Sequence, residues 1–221
     1  MIAVQGIGWL DATAYGRIRQ SFSTSYAEHT ELHALGRSEG LFKYPVKNFG
    51  RFEPLTQRVC CITALALQDA GIEYAEGRRL DIGLLGTNGT GCLESNLNYF
   101  KDYVDGGRTL SRANLFIYTL PSSPLAEAAV HFGLQGPQLY MRAAKETMTP
   151  LMQRTAGMIR RGEAEKMLVY RLGAVSGLCM VLGETARPVC SLEQAIAIDE
   201  GAKDGRTRIE DLKKAAEHNE N

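Results

Sequence analysis

The chain has 221 residues, 44% hydrophobic and 23% charged, with 25 basic and 25 acidic side chains giving a formal net charge of zero. That is the composition of one soluble globular domain, with or without a tail, able to bury a sizeable core. It offers no basic excess for a nucleic-acid partner or an anionic membrane surface, and the pairs Arg78-Arg79, Arg160-Arg161 and Lys213-Lys214 read as solvated helix ends.

The opening residues 1–10 carry no basic stretch and no long apolar run, so neither a secretory signal nor a membrane span is expected. Ile2-Ala3-Val4 reads as a buried strand running into a glycine turn at Gly6-Ile7-Gly8. Residues 11–53 are mixed, with helical hints over 12–21 and a loop over 36–50. A helix then opens at Pro54, repeats Leu55, Val59, Ile62 and Ala66 on one face, and stops at Gly71. Residues 81–86 form a short apolar run bounded by turn formers, hence a buried strand. Thr87-Asn88-Gly89-Thr90-Gly91 is a glycine-rich loop, and a helix is expected over 94–104.

Pro121-Ser122-Ser123-Pro124 forces a turn. A helix over 125–132 ends at Gly133, and 138–142 should be a strand. A further helix spans 150–161, with Thr149 as its N-cap. The runs 166–172 and 175–182, joined through Gly173, read as adjacent strands. The last thirty or so residues turn polar, and Thr207-Arg208-Ile209-Glu210 has the form of a capping box opening a helix. The division expected is a domain over 1–185 followed by a polar extension over 186–221. Strands alternating with helices give an α/β fold, layered αβα, with a mixed and mostly parallel sheet.

Five segments in order resemble the β-ketoacyl synthases of the thiolase superfamily. These are Gly6-Ile7-Gly8; Phe49-Gly50-Arg51-Phe52 followed by the helix over 64–72 with Asp69-Ala70-Gly71; the strand and glycine loop over 82–91; residues 120–137, a Pro-rich turn and helix ending in Phe132-Gly133-Leu134-Gln135-Gly136-Pro137; and residues 156–168, with Met158-Ile159-Arg160-Arg161-Gly162-Glu163-Ala164-Glu165 before a strand. The resemblance covers about 1–185 and implies the first, thiolase-like half of such an enzyme. A full synthase is about twice as long, with its two catalytic histidines in the second half.

What the resemblance implies about catalysis is mostly negative. Counting from Gly136-Pro137, the position of the family's nucleophilic cysteine holds Lys145, so no catalytic residue is assigned. An ammonium is no nucleophile unless burial lowers its pKa strongly, and Glu146 opposes that. Pro150 starts the following helix downstream of Lys145, away from the helix end that favours a thiolate in the family. After Lys145 only His218 remains to play the part of two histidines. Among the cysteines, Cys60 and Cys61 lie within a helix and Cys179 in an apolar strand, the usual places of structural thiols. With Cys92 and Cys190 they are odd in number and lack metal-type spacing, which points away from a disulfide framework and towards a reducing cytoplasm. His29 and His33 could share a helix face, yet two ligands do not make a zinc site. No metal or cofactor is expected. Ser122-Ser123 lacks the context of a hydrolase nucleophile, and the loop over 86–91 lacks the ending of a phosphate-binding loop.

In the family, the strand matching Gln138, Leu139, Tyr140, Met141 and Arg142 pairs with its copy across a dimer two-fold. An exposed sheet edge is seldom left bare, so these five residues are the expected dimer interface, in a homodimer or in a heterodimer with a full-length ketosynthase. The leading expectation is a catalytically inactive ketosynthase-like subunit, a partner or scaffold in fatty acid or polyketide biosynthesis. Two alternatives stand beside it: a module binding acyl thioesters or an acyl carrier protein, and an acyltransferase with altered chemistry at Lys145.

Overall fold

The structure is a computed structural model that describes residues 1–27, 31–38, 40–109, 112–143 and 147–219. Strands β1 (Ile2–Leu10), β2 (Ala14–Arg17) and β3 (Phe22–Ser25) open it, followed by a short helix α1 (Leu32–Leu35) and the long α2 (Pro54–Asp69). Then come β4 (Ile82–Asn88), α3 (Leu93–Asp105), α4 (Ala113–Phe116), α5 (Ser123–Phe132), β5 (Gln138–Tyr140) and α6 (Thr149–Arg160). Strands β6 (Lys166–Leu172), β7 (Gly177–Glu184) and β8 (Cys190–Ser191) and helices α7 (Leu192–Gly201) and α8 (Gly205–Asn219) complete it.

The strands join in one mixed sheet in the order β3-β2-β1-β7-β6-β4-β5, with β8 also on β1. Pairing is parallel at β4–β5 and β4–β6 and antiparallel elsewhere. Strands β5, β4, β6, β1 and β3 therefore run one way, against β7, β2 and β8. One face packs on α2 and α5, through Ile62, Leu65, Ala128 and Phe132 against Leu84 and Leu168. The other packs on α6, α7 and α8, through Leu151, Met152, Ala195 and Leu212 against Val169, Met180 and Leu182. The result is the expected αβα layering. Residues 186–219 are part of the second layer, where Leu192, Ala195, Ile209, Leu212 and Ala216 are buried.

Local chemistry explains both the agreements and the departures. α2 begins at Pro54 and ends in a Schellman arrangement: Gly71 sits at φ +68 and the Ile72 amide reaches the Leu67 carbonyl at 2.9 Å. Gly6-Ile7-Gly8 is no turn. β1 runs straight through it with every residue buried, and the glycines let α2 approach. A Cβ on Gly6 would lie 2.3 Å from the Ala70 nitrogen, and one on Gly8 2.4 Å from the Ala66 nitrogen. Asp69 at the end of α2 fastens the same strand. Its carboxylate accepts the amides of Ile7 at 2.7 Å and of Arg19 and Gln20 at 3.1 Å. Burial outweighs those donors and raises its pKa.

The helical hints over 12–21 give way to the β2–β3 hairpin. Asp11 accepts the amides of Thr13 and Ala14, both at 2.8 Å, and closes the turn from which β2 pairs back on β1 and then with β3. β4 takes in Thr87 and Asn88 from the expected loop because it pairs with β6 through Leu172. The capping box lies at Ser191 and Gln194 on α7. Thr207 sits inside the first turn of α8, its amide donating to Asp204 at 2.8 Å.

Candidate functional site

The parallel strands β5, β4 and β6 end together, and in open α/β sheets ligands bind beyond such carboxyl ends. β4 ends in Thr87 and Asn88, both buried. β5 continues as Met141, whose amide reaches the Gly86 carbonyl at 2.9 Å, and Ala143, whose amide donates to the Thr87 hydroxyl oxygen at 3.3 Å. Close packing brings the strands together here: a Cβ on Gly86 would fall 2.1 Å from the ring of Tyr170. Beyond the strand ends lies a cavity of about 310 Å³, lined among others by Leu55, Arg58, Asn88, Glu94, Arg171 and Ala174. Arg58 spans its wall, donating to the carbonyls of Gly173 at 3.0 Å and Ala174 at 2.6 Å. Nearby, the Ser95 hydroxyl donates to the Glu53 carboxylate, whose pKa burial raises.

Lys145, with Ala144 and Glu146, lies outside the described residues. The segment resumes at Thr147, and there the site differs from the sequence expectation. Thr149 does not cap α6 from its own side chain; it is the first helical residue, and Met148 holds the N-cap position. The cap comes from α7. Asp199 Oδ2 accepts the amides of Met148 and Thr149, each at 2.7 Å, and the Thr149 hydroxyl at 2.9 Å; the Thr147 hydroxyl donates to it as well. On its other side Asp199 Oδ1 faces Nε of Arg208 on α8 at 2.7 Å. The carboxylate is fully buried and the guanidinium nearly so. A buried anion thus sits on the positive end of α6, fixed by a buried cation.

The remaining candidates find ordinary places. Cys60, Cys61 and Cys179 are buried, and burial pushes their thiols far above the usual range; Cys190 is pushed up to about 12. Such thiols do not supply a thiolate. Cys92 is only half-buried, and its thiol donates to the Thr119 carbonyl at 2.7 Å. The Ser123 hydroxyl is engaged with the Ile117 carbonyl. His29 is outside the described residues, while His33 pairs with Glu31 at 3.0 Å. Among the described residues no cluster of His, Cys, Asp and Glu could hold a metal, and no helix is long and apolar enough to cross a membrane.

β5 is the outer strand of the sheet, paired only with β4 among the described residues. It is shorter than expected: Gln138, Leu139 and Tyr140 form it, while Met141 and Arg142 follow outside regular strand pairing. Gln138, Leu139 and Arg142 are exposed, Tyr140 and Met141 half-buried, and the Tyr140 hydroxyl donates to Asn88 Oδ1 at 3.3 Å.

No family model and no curated protein matches the chain by sequence. Its shape does match solved structures. A ketosynthase in complex with its chain length factor from Xenorhabdus doucetiae aligns with a TM-score of 0.56 at 11% identity, over 84% of this chain and 79% of that one. The fold is that of the ketosynthases. The ishigamide ketosynthase/chain length factor gives 0.57 at 12%, over 99% of this chain and 80% of that one. A type II polyketide acyl-carrier protein in complex with its ketosynthase bound to the hexaketide gives 0.54 at 13%, over 83% of this chain and 58% of that one.

Proposed function

We propose that the chain is a non-condensing subunit of ketosynthase fold, which pairs with an active ketosynthase in polyketide- or fatty-acid-type biosynthesis as partner or scaffold. One observation carries the reading: the Asp199 carboxylate seated on the amides that open α6. The positive end of such a helix stabilises a thiolate in the family that the sequence resembles. Here it already faces an internal anion held by Arg208, and a second negative charge beside it would be repelled. Lys145 at the position matching the cysteine supports the same conclusion. Likeness to ketosynthase and chain-length-factor assemblies supports the partner role. The bare β5 edge, with Gln138, Leu139, Tyr140, Met141 and Arg142, is the proposed pairing surface. A carrier protein is a further partner on this reading, supported by the fold shared with a ketosynthase solved with one.

The test is to incubate the purified chain with acyl and malonyl thioesters, follow products by mass spectrometry, and titrate it with a full-length type II ketosynthase. The expected result is no lengthened β-keto product from the chain alone and a stable complex with the ketosynthase. Condensation by the chain alone would refute the proposal. An acyl adduct that disappears in Lys145→Ala would support altered acyltransfer chemistry instead.

A further inference from the structure

Between the turn that joins β2 to β3 and the last turns of α8 lies a second cavity, of about 150 Å³, far from the ends of β4 and β6. Its wall carries three cations, Arg17, Arg19 and Lys213, and one carboxylate, Glu217, with Ser21 and Ser23 beside them. The three cations are half-buried. In a chain of zero net charge this is a local excess of positive charge.

Elsewhere the chain pairs its cations. Lys43 meets Glu73 at 2.5 Å, Arg112 meets Asp102 at 2.8 Å, and Lys214, the next residue after Lys213, meets Asp211 at 2.9 Å. Among the described residues no ion pair joins Arg17, Arg19 or Lys213. They are held instead by groups that orient a cation without cancelling its charge. Arg17 lies over the Phe22 ring, 4.4 Å from its centroid, and donates to Gln68 Oε1 at 3.0 Å. Lys213 lies over the Trp9 ring at 4.6 Å. Arg19 reaches the Gln5 carbonyl at 3.5 Å, and its own amide is fixed to Asp69 at 3.1 Å. Ring faces attract a cation and leave its N–H donors for other acceptors. Arg17 Nε is buried and has no acceptor, a costly state for a donor until something accepts from it. Asp69 lies close enough to feel the charge of Arg17, but its oxygens are spent on the amides of Ile7, Arg19 and Gln20.

Guanidinium and ammonium groups fixed in this way suit an anion with several acceptor oxygens, above all a phosphate. Size decides how much of a ligand enters. Pockets for drug-sized ligands begin at ~300 Å³, and this cavity is half that. It therefore takes one charged group and not a whole cofactor.

We infer that this cavity binds a phosphate group, either free or at the end of a phosphomonoester, with Arg17, Arg19 and Lys213 supplying the charge and Ser21 and Ser23 further donors. The inference goes beyond the partner reading and is tested without any ketosynthase, so either can fail alone. The experiment is isothermal titration calorimetry on the full chain at constant ionic strength, with inorganic phosphate, with glycerol 3-phosphate, and with sodium chloride as the blank. Arg19→Gln and Lys213→Gln are the site variants. Lys101→Gln on α3, at the opposite end of the sheet, removes the same charge as a control. None of the three side chains is buried, so circular dichroism should report an unchanged fold. The expected result is saturable one-site binding, at least about tenfold weaker in each site variant and unaltered in the control. Tighter binding of the phosphomonoester assigns the site to the end of a larger ligand, and tighter binding of inorganic phosphate assigns it to the free anion; either order supports the inference. A wild-type chain that shows no saturable binding of either probe overturns it. So does an affinity that neither site variant lowers, or that Lys101→Gln lowers as much as they do.

Discussion

Replacing Asp199 by Asn keeps the shape of the side chain and removes its charge, which tests whether the α6 cap is an electrostatic fixture. The carboxylate serves two amides, two hydroxyls and the Arg208 guanidinium from a fully buried position. Removing one member of a buried ion pair costs about 3–5 kcal/mol, and loss of an N-cap alone about 1 kcal/mol. The two overlap, because the same atoms serve both, so they do not simply add. The expected loss is about 4 kcal/mol, which for a chain of this size lowers Tm by roughly 8–16 °C. Thermal unfolding followed by circular dichroism, with urea titration at one temperature, measures it. Asp199→Asn/Arg208→Met should lose less than Asp199→Asn, since an apolar pair in place of a buried ion pair is often neutral. A loss below about 1 kcal/mol would class Asp199 with surface carboxylates and remove the ground for calling the helix end occupied.

Three further outcomes follow from particular contacts. His131 is half-buried among Phe42, Tyr44 and Phe132, and burial lowers its pKa to about 4. The unfolded chain therefore takes up the proton first as pH falls, so this group leaves stability constant above about 6.5 and reduces it between about 6.5 and 4, by up to about 3 kcal/mol. Asp69 and Glu53, whose pKa values are raised, act in the opposite sense, so the difference between wild type and His131→Phe isolates the histidine; equal pH slopes for the two would contradict the assignment. Gly8→Ala should cost at least about 3 kcal/mol or prevent folding, because the new methyl meets the backbone of α2 and not a movable side chain; a loss under about 1 kcal/mol would show that α2 can step back. In the folded chain Cys92 should react with a thiol reagent well before Cys60, Cys61, Cys179 and Cys190, which are buried and should react only on unfolding; simultaneous modification of all five would contradict that packing.

Much of the layering was legible because it is written in local periodicity and punctuation. α2 shows its apolar stripe, Pro54 and Gly71 in sequence, and β6 and β7 are long apolar runs separated by Gly173. Failures fall where tertiary contact decides. Gly6 and Gly8 look like turn formers, and only the approach of α2 reveals that they are spaces for a helix. The β2–β3 hairpin depends on β1 as its template, and β1 is itself held in the sheet by β7 from the far end of the chain. The Asp199–Arg208 cap was missed for the same reason, since it joins α6 to residues fifty positions away. A signal was nevertheless present. Asp199 falls on the stripe Leu192, Ala195, Ile196, and Arg208 stands beside the stripe Ile209, Leu212, Ala216. A charge on each of two neighbouring apolar faces, of opposite sign, is a pattern for a buried pair.

The positive end of α6 can hold one anion well, and what occupies it sets what the fold can do there. A reactive thiolate in that place has to be left partly unsatisfied, because a sulfur already held by amides and a guanidinium would be a poor nucleophile. A structural carboxylate has the opposite requirement and gains from every donor that can reach it. Asp199 meets the second requirement and not the first: it is fully buried, held by two amides and two hydroxyls, and backed by Arg208. Both residues of the pair belong to α7 and α8, which pack across the same sheet face as α6. The segment that looked like a polar extension is thus the one that binds the helix end, through a buried carboxylate that draws stability from the field of α6.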